Sequence, residues 1–166
     1  MKTLPVADRF QALDACHQQI HLHLEKLAGV LQQIEAYADE SQYRQLACEI
    51  EAFFSGTSRE HHADEEKNVF PGLLASGNAE LVHAVRTLQQ DHGWIEQNWV
   101  ELAPMLRAIA EGEDWVNMAE LQHAVEVFLS LCRDHIVLEE TLIYPEAKGR
   151  FADEMAGRAR RAAKTA

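Results

Sequence analysis

The chain has 166 residues, of which 47% are hydrophobic, enough to bury a core without a disulfide or a metal as staple. Its net charge of −12 and pI near 5.1 argue against nucleic acid or an anionic membrane as the main partner, since both call for a cationic surface. Cys16, Cys48 and Cys132 are odd in number and never spaced as C-x2-C, which argues against a disulfide framework, a zinc ribbon or a thioredoxin-like centre. No apolar run of signal-peptide length follows Met1, and charged residues or His interrupt every potential membrane span, so a cytoplasmic protein is expected.

Four helical stretches are predicted in chain order, with breaks at about 38–41, 71–78 and 112–114. In the first, Phe10, Leu13, His17, Ile20, Leu24, Leu27, Leu31 and Ile34 alternate spacings of three and four, an apolar seam with one histidine set into it. The second carries Phe54, His61, Glu65, Glu66, Phe70 and Pro71. The third repeats the first seam position for position, as Val85, Leu88, His92, Ile95, Trp99, Leu102, Leu106 and Ile109, so that His92 takes the slot of His17. The fourth repeats the second in the same way, as Phe128, His135, Glu139, Glu140, Tyr144 and Pro145. Pro71 and Pro145 are expected to stop their helices, and Pro104 to kink the third. Six of the 15 Lys and Arg lie between Lys148 and Lys164, a basic tail over 148–166 in which residues 151–164 are expected to form a short helix on the bundle's end. The pattern predicts one all-α domain, an up-down-up-down four-helix bundle over about 8–147, its halves related by a pseudo-twofold axis.

Residues four apart on a helix lie about 6 Å apart along the axis and project from one face. His61 with Glu65, and His135 with Glu139, can therefore each reach one ion, and the seam turns His17 and His92 inward. Four imidazoles and two carboxylates suit iron, manganese or zinc. Six ligands exceed what one tetrahedral zinc takes. Two ions bridged by both carboxylates, with a solvent-derived bridge and an open position for a small molecule, fit the count better. A lone seam histidine is ordinarily a satisfied core residue and a lone His-x3-Glu a surface pair; their recurrence in register favours metal. His21, four after His17, Glu96, four after His92, and His62, beside His61, are additional ligand candidates, with His21 and Glu96 ranked above His62. Ligands must shed protons to bind metal, so occupancy is expected to fall below about pH 6, near the free-histidine pKa.

From His17 to Pro145 the chain resembles the hemerythrin-like proteins with an HHE cation-binding domain, most directly in His61-His62-Ala63-Asp64-Glu65-Glu66 before Phe70-Pro71 and in His135 to Glu140 before Tyr144-Pro145. The resemblance implies a four-helix bundle around a non-haem di-iron centre, with His17, His61, His92 and His135 as terminal ligands and Glu65 and Glu139 as bridges. It departs from the oxygen-carrying hemerythrins in two places. Their third helix carries His-x3-His, where this chain has His92-x3-Glu96, and their last carboxylate is an Asp five residues after its His, where this chain has Glu139 at four. The implied function is small-molecule binding, sensing or detoxification, with dioxygen, nitric oxide or peroxide as the ligand. A di-metal oxidase or peroxidase, with Cys132 or Glu96 near the open position, and a bundle locked by zinc are the two other classes to be distinguished. The ferritin-like arrangement, Glu-x2-His on two helices with a lone Glu on the other two, has the reverse order and another spacing, and the lone ligands here are His.

Overall fold

A computed structural model describes residues 6–165, and among them there is no strand. Helix α1 spans Val6–Glu35, α2 Glu40–Ser55, α3 Thr57–Asn68, α4 Phe70–Leu74, α5 Ala79–Glu111 and α6 Met118–Leu138; a π-helical turn, Glu139–Ile143, then leads into α7, Tyr144–Lys164. Four pairs of neighbours close the bundle: α1 packs on α2, α2 on α5, α5 on α6, and α6 returns to α1. Asp39, Asn78 and Asn117 each accept backbone N–H bonds at the start of α2, α5 and α6, satisfying donors that a helix N-terminus leaves free.

The repeat extends to the ends of its first and third stretches. The α5 helix ends on Gly112 at φ 75°, with Glu113 N–H bonded to the Ala108 carbonyl at 2.9 Å. At the matching place in the first repeat, α1 ends on Tyr37 at φ 51°, with Ala38 N–H bonded to the Gln33 carbonyl at 2.9 Å. Both are left-handed caps. Glycine takes that conformation without strain, whereas tyrosine places its Cβ against the following carbonyl. At Gly112 a Cβ would also meet the Arg44 guanidinium at 2.9 Å.

Three expectations are corrected here. The second stretch is interrupted at Gly56, so α2 and α3 are separate helices. Pro145 does not stop its helix. The i→i+5 bond from Tyr144 N–H to the Glu139 carbonyl makes a new start there, so Pro145 falls in the first turn of α7, where its missing N–H costs nothing. The C-terminal helix is accordingly not a short one over 151–164 but runs 21 residues from Tyr144, across position 148 without a break. At Pro71 the chain bends through Val69 and resumes for one more turn as α4. The α5 helix runs on past Pro104.

Two apolar cores fill the bundle. The larger contains Ile20, Leu24, Phe54, Ile95, Trp99, Leu102, Phe128 and Ile136, with Phe54, Trp99 and Phe128 ring centroids 5.1–5.3 Å apart. The smaller contains Leu13, Val69, Phe70, Leu73, Leu81, Val85, Leu88, Ile143 and Tyr144. Ile20 and Ile95 belong to the first core, Leu13 and Leu88 to the second, and His17 and His92 stand between them on the same seams.

Candidate metal centre

His17, His61, Glu65, His135 and Glu139 are buried, with both carboxylate side chains wholly enclosed. His92 is nearly so, its side chain 10% exposed. All six meet. His17 Nε2 lies 3.0 Å from Glu139 Oε2 and 3.7 Å from Glu65 Oε1, and His61 Nε2 lies 3.0 Å from Glu65 Oε1. Across the cluster, His135 Nε2 lies 2.8 Å from Glu139 Oε1, and His92 Nε2 lies 3.3 Å from Glu65 Oε2 and 4.0 Å from Glu139 Oε1. Each carboxylate thus turns one oxygen to the His17/His61 pair and the other to the His92/His135 pair.

The cluster is chemically suited to a cation. Glu65 Oε2 and both oxygens of Glu139 are buried without an aligned hydrogen-bond donor, a costly condition unless a cation is close. His92 Nε2 and His135 Nε2 face each other at 3.1 Å, close enough for both to reach one ion. Two overlapping sets of ligand atoms fall within 4.8 Å of one another: His17, His61, Glu65 and Glu139, and His62, Glu65, His92 and His135.

Protons hold the cluster together when it has no metal. Burial opposes charge on His17, but the Glu139 and Glu65 carboxylates outweigh it and lift the imidazole from 6.5 to about 9. At His61, burial is outweighed by Cys16 and Glu65, giving about 10; at His135, by Asp91 and Glu139, giving about 9. Burial works against the Glu65 carboxylate too, yet His17, His61 and His92 hold it well below the usual range. His62 differs, because burial and then the neighbouring His92 push it well below 6.5, leaving a neutral ring.

The additional candidates separate clearly. His62, partly buried, stacks on His92 with centroids 4.2 Å apart and stands edge-on to His135. His21 is exposed and bonds through Nε2 to Glu140 at 3.1 Å. Glu96 is paired with Arg59 on the surface, at 2.5 and 3.0 Å. The order expected from sequence, with His62 last, is reversed, because His21 and Glu96 project from the outer side of their helices. His83 and His123 are exposed, and His23 stacks on Phe53.

Tyr144 is the residue the ligand pattern did not single out. Its hydroxyl donates to Glu65 Oε1 at 2.5 Å and lies 3.0 Å from His17 Nε2 and 3.4 Å from His61 Nε2. Burial and the charges of Glu65 and Glu139 raise its pKa far above 10, so the phenol keeps its proton. Residues five apart on a regular α-helix point about 140° apart; the π-turn is what returns Tyr144 to the side of Glu139. The signal in the sequence was the mismatch with Phe70, its counterpart in the first repeat, which stacks on His92 much as Tyr144 stacks on His17. A cavity of about 10 Å³ adjoins Glu139, His62 and His135, walled by Ile20, Phe54, Ile95, Cys132 and Ile136. It has room for about one water-sized molecule. Burial and Glu139 push the Cys132 thiol up, so it is neutral there.

The hemerythrin HHE cation binding domain family matches residues 8–147, and the chain belongs to that family. It is a hemerythrin-like cation-binding domain whose buried His/Glu cluster can hold a metal. An uncharacterized protein of Haemophilus influenzae is 25% identical over 133 residues, which cover 80% of this chain and 74% of that protein. No solved structure matches the chain. Among the described residues no helix is long and apolar enough to cross a membrane.

Proposed function

We propose that the chain is a non-haem di-iron protein that takes dioxygen, nitric oxide or peroxide at its buried centre, with His17 and His61 holding one ion, His92 and His135 the other, and Glu65 and Glu139 bridging them. The observation that carries this reading is the division of each carboxylate's oxygens between the two imidazole pairs. Nitrogen and oxygen donors in this number suit iron, and zinc or manganese would be accepted by the same set. Iron bound there supplies a redox-active Lewis acid.

The residues divide the work around it. His62, in reach of Glu65, His92 and His135, would make a fifth imidazole on one half and would leave the open position on the other. Tyr144 stands on that open half with a phenolic proton held at Glu65. On the side of His62 and His135, apolar walls around Ile20, Phe54 and Ile95 leave only about the space of one water molecule. Chain loaded anaerobically with ferrous iron is expected to hold about two irons and to change its visible spectrum on addition of dioxygen, nitric oxide or peroxide. Iron below half an equivalent, or a spectrum indifferent to all three, would overturn the proposal.

The proton held by Tyr144 also favours a second reading, a di-iron peroxidase. Sustained consumption of peroxide with an electron donor, lost in Tyr144→Phe while iron content is kept, would select it over reversible binding. One zinc and no iron in the protein as purified would instead favour a structural lock.

A further inference from the structure

We propose that Glu66 and Glu140 cross-brace the two repeats, each fixing the lone histidine of the opposite repeat by a bond to its outer ring nitrogen. Glu66 follows Glu65 on α3, in the first repeat, and its Oε1 lies 2.8 Å from Nδ1 of His92, in the second. Glu140 follows Glu139 in the second repeat, and its Oε1 lies 3.2 Å from Nδ1 of His17, in the first. Glu66 and Glu140 occupy matching positions of the repeat, and so do His92 and His17. One interaction therefore occurs twice, through different side chains on different helices.

The chemistry assigns its use. An imidazole that donates Nδ1–H to a carboxylate is fixed in tautomer and in ring orientation, with the Nε2 lone pair turned the other way. In both cases that other way is inward, toward Glu65 and Glu139. The two remaining histidines have neighbours from within their own repeat, His135 Nδ1 facing Asp91 at 3.5 Å and His61 lying beside Cys16. At the outer ring nitrogens, the second glutamate of each His-x3-Glu-Glu run is the group that reaches across from the opposite repeat. Each brace is itself held. Gln89 Nε2 donates to Glu66 Oε2 at 2.9 Å, and His21 Nε2 lies 3.1 Å from Glu140 Oε1. His21, left outside the ligand set, thus has a place one bond further out.

Glu66 and Glu140 are positioning residues, and their side chains are 37% and 43% exposed, so replacing them leaves the cores intact. The affinity arm of the test rests on the metal-centre reading above, whereas the imidazole arm does not. In the metal-free chain, ¹⁵N-resolved imidazole spectra are expected to show protected Nδ1–H groups on His92 and His17. Glu66→Ala should abolish the first alone, and Glu140→Ala the second alone. Cobalt(II) affinity, measured by chelator competition, should fall about 10–100-fold in each. Glu66→Gln, which keeps an acceptor at the same reach, should restore part of both signals. Imidazole spectra unaltered by the alanine variants, or altered at the histidine of the same repeat, overturn the brace. So does cobalt affinity that the variants leave within threefold of a metal-binding parent. A parent chain that takes no cobalt counts against the metal centre instead, and the imidazole spectra still decide the brace.

Discussion

The two halves of the centre are copies of one another that differ at three places close to the ligands. Beside the His17/His61 pair stand Cys16 and Tyr144; at the equivalent places beside His92/His135 stand Asp91 and Phe70. His62 leans on the second half, and its counterpart in the second repeat is Ile136, an apolar wall of the small cavity. The four imidazoles, two carboxylates and two braces are shared, and these three exchanges are not. The repeat supplies the scaffold of histidines and glutamates. The exchanges gave one half an additional imidazole and a carboxylate, and the other half a phenol and a thiol, so two ions held in this site would have different surroundings.

The comparison breaks most completely at what the halves share. Glu65→Ala removes an oxygen from each, and bound metal is expected to fall from about two ions per chain to below one by elemental analysis. Substitutions at the three exchanges should act on one half only. His62→Ala is expected to lower affinity for one ion by more than the roughly 10–100-fold typical of an outer-shell loss, leaving a second class of site unchanged in a metal titration. His21→Ala should shift neither class by more than about threefold. Tyr144→Phe makes the first half resemble the second; it should keep both metals and weaken binding of the small ligand by about 3–10-fold, the worth of one hydrogen bond.

Acid and base act on the metal-free cluster with a definite sign. His17, His61 and His135 have pKa values of about 9 to 10 in the fold against about 6.5 unfolded. Their contribution to stability is therefore complete below about pH 6.5 and is lost as pH rises through 9 to 10. Glu65, depressed in the fold, contributes above about pH 4.5 and loses that as pH falls through its lowered value. The metal-free chain should thus melt at falling temperature between pH 7 and 10, and the metal-loaded chain should not. The same values extend the competition between protons and metal beyond the pH 6 expected from free histidine, with affinity rising up to about pH 9–10. The smallest effect concerns the repeat outside the site. Tyr37→Gly, which gives α1 the cap residue of α5, should stabilise the chain by about 1 kcal/mol and raise its melting temperature by about 2–4 °C.

The bundle and the convergence of its histidines and glutamates could be read from sequence because both are written in helical spacing. Seams of three and four turned His17 and His92 inward, and the interval of four placed His61 with Glu65 and His135 with Glu139. What spacing did not reveal depended on departures from a regular helix or on the partner across the bundle. Tyr144 faces the site only because of the π-turn, and the continuation past Pro145 has the same cause. His62 was ranked low because it follows a ligand directly, about 100° round the helix; it enters the cluster because that direction meets His92 of α5 and His135 of α6. Glu96 had the right interval but the wrong side, where Arg59 holds it. Glu66 and Glu140 were visible as repeated letters, yet their partners lie on the opposite repeat, and no interval along one helix points there.

The buried oxygens of Glu65 and Glu139 that lack aligned donors tie folding to the composition of the solution. A cation that binds the folded cluster and not the open chain adds about 1.4 kcal/mol of stability for every tenfold rise in its free concentration above the dissociation constant. The unfolding temperature of this chain would then track the logarithm of available metal, making the fold a gauge of the ion it holds.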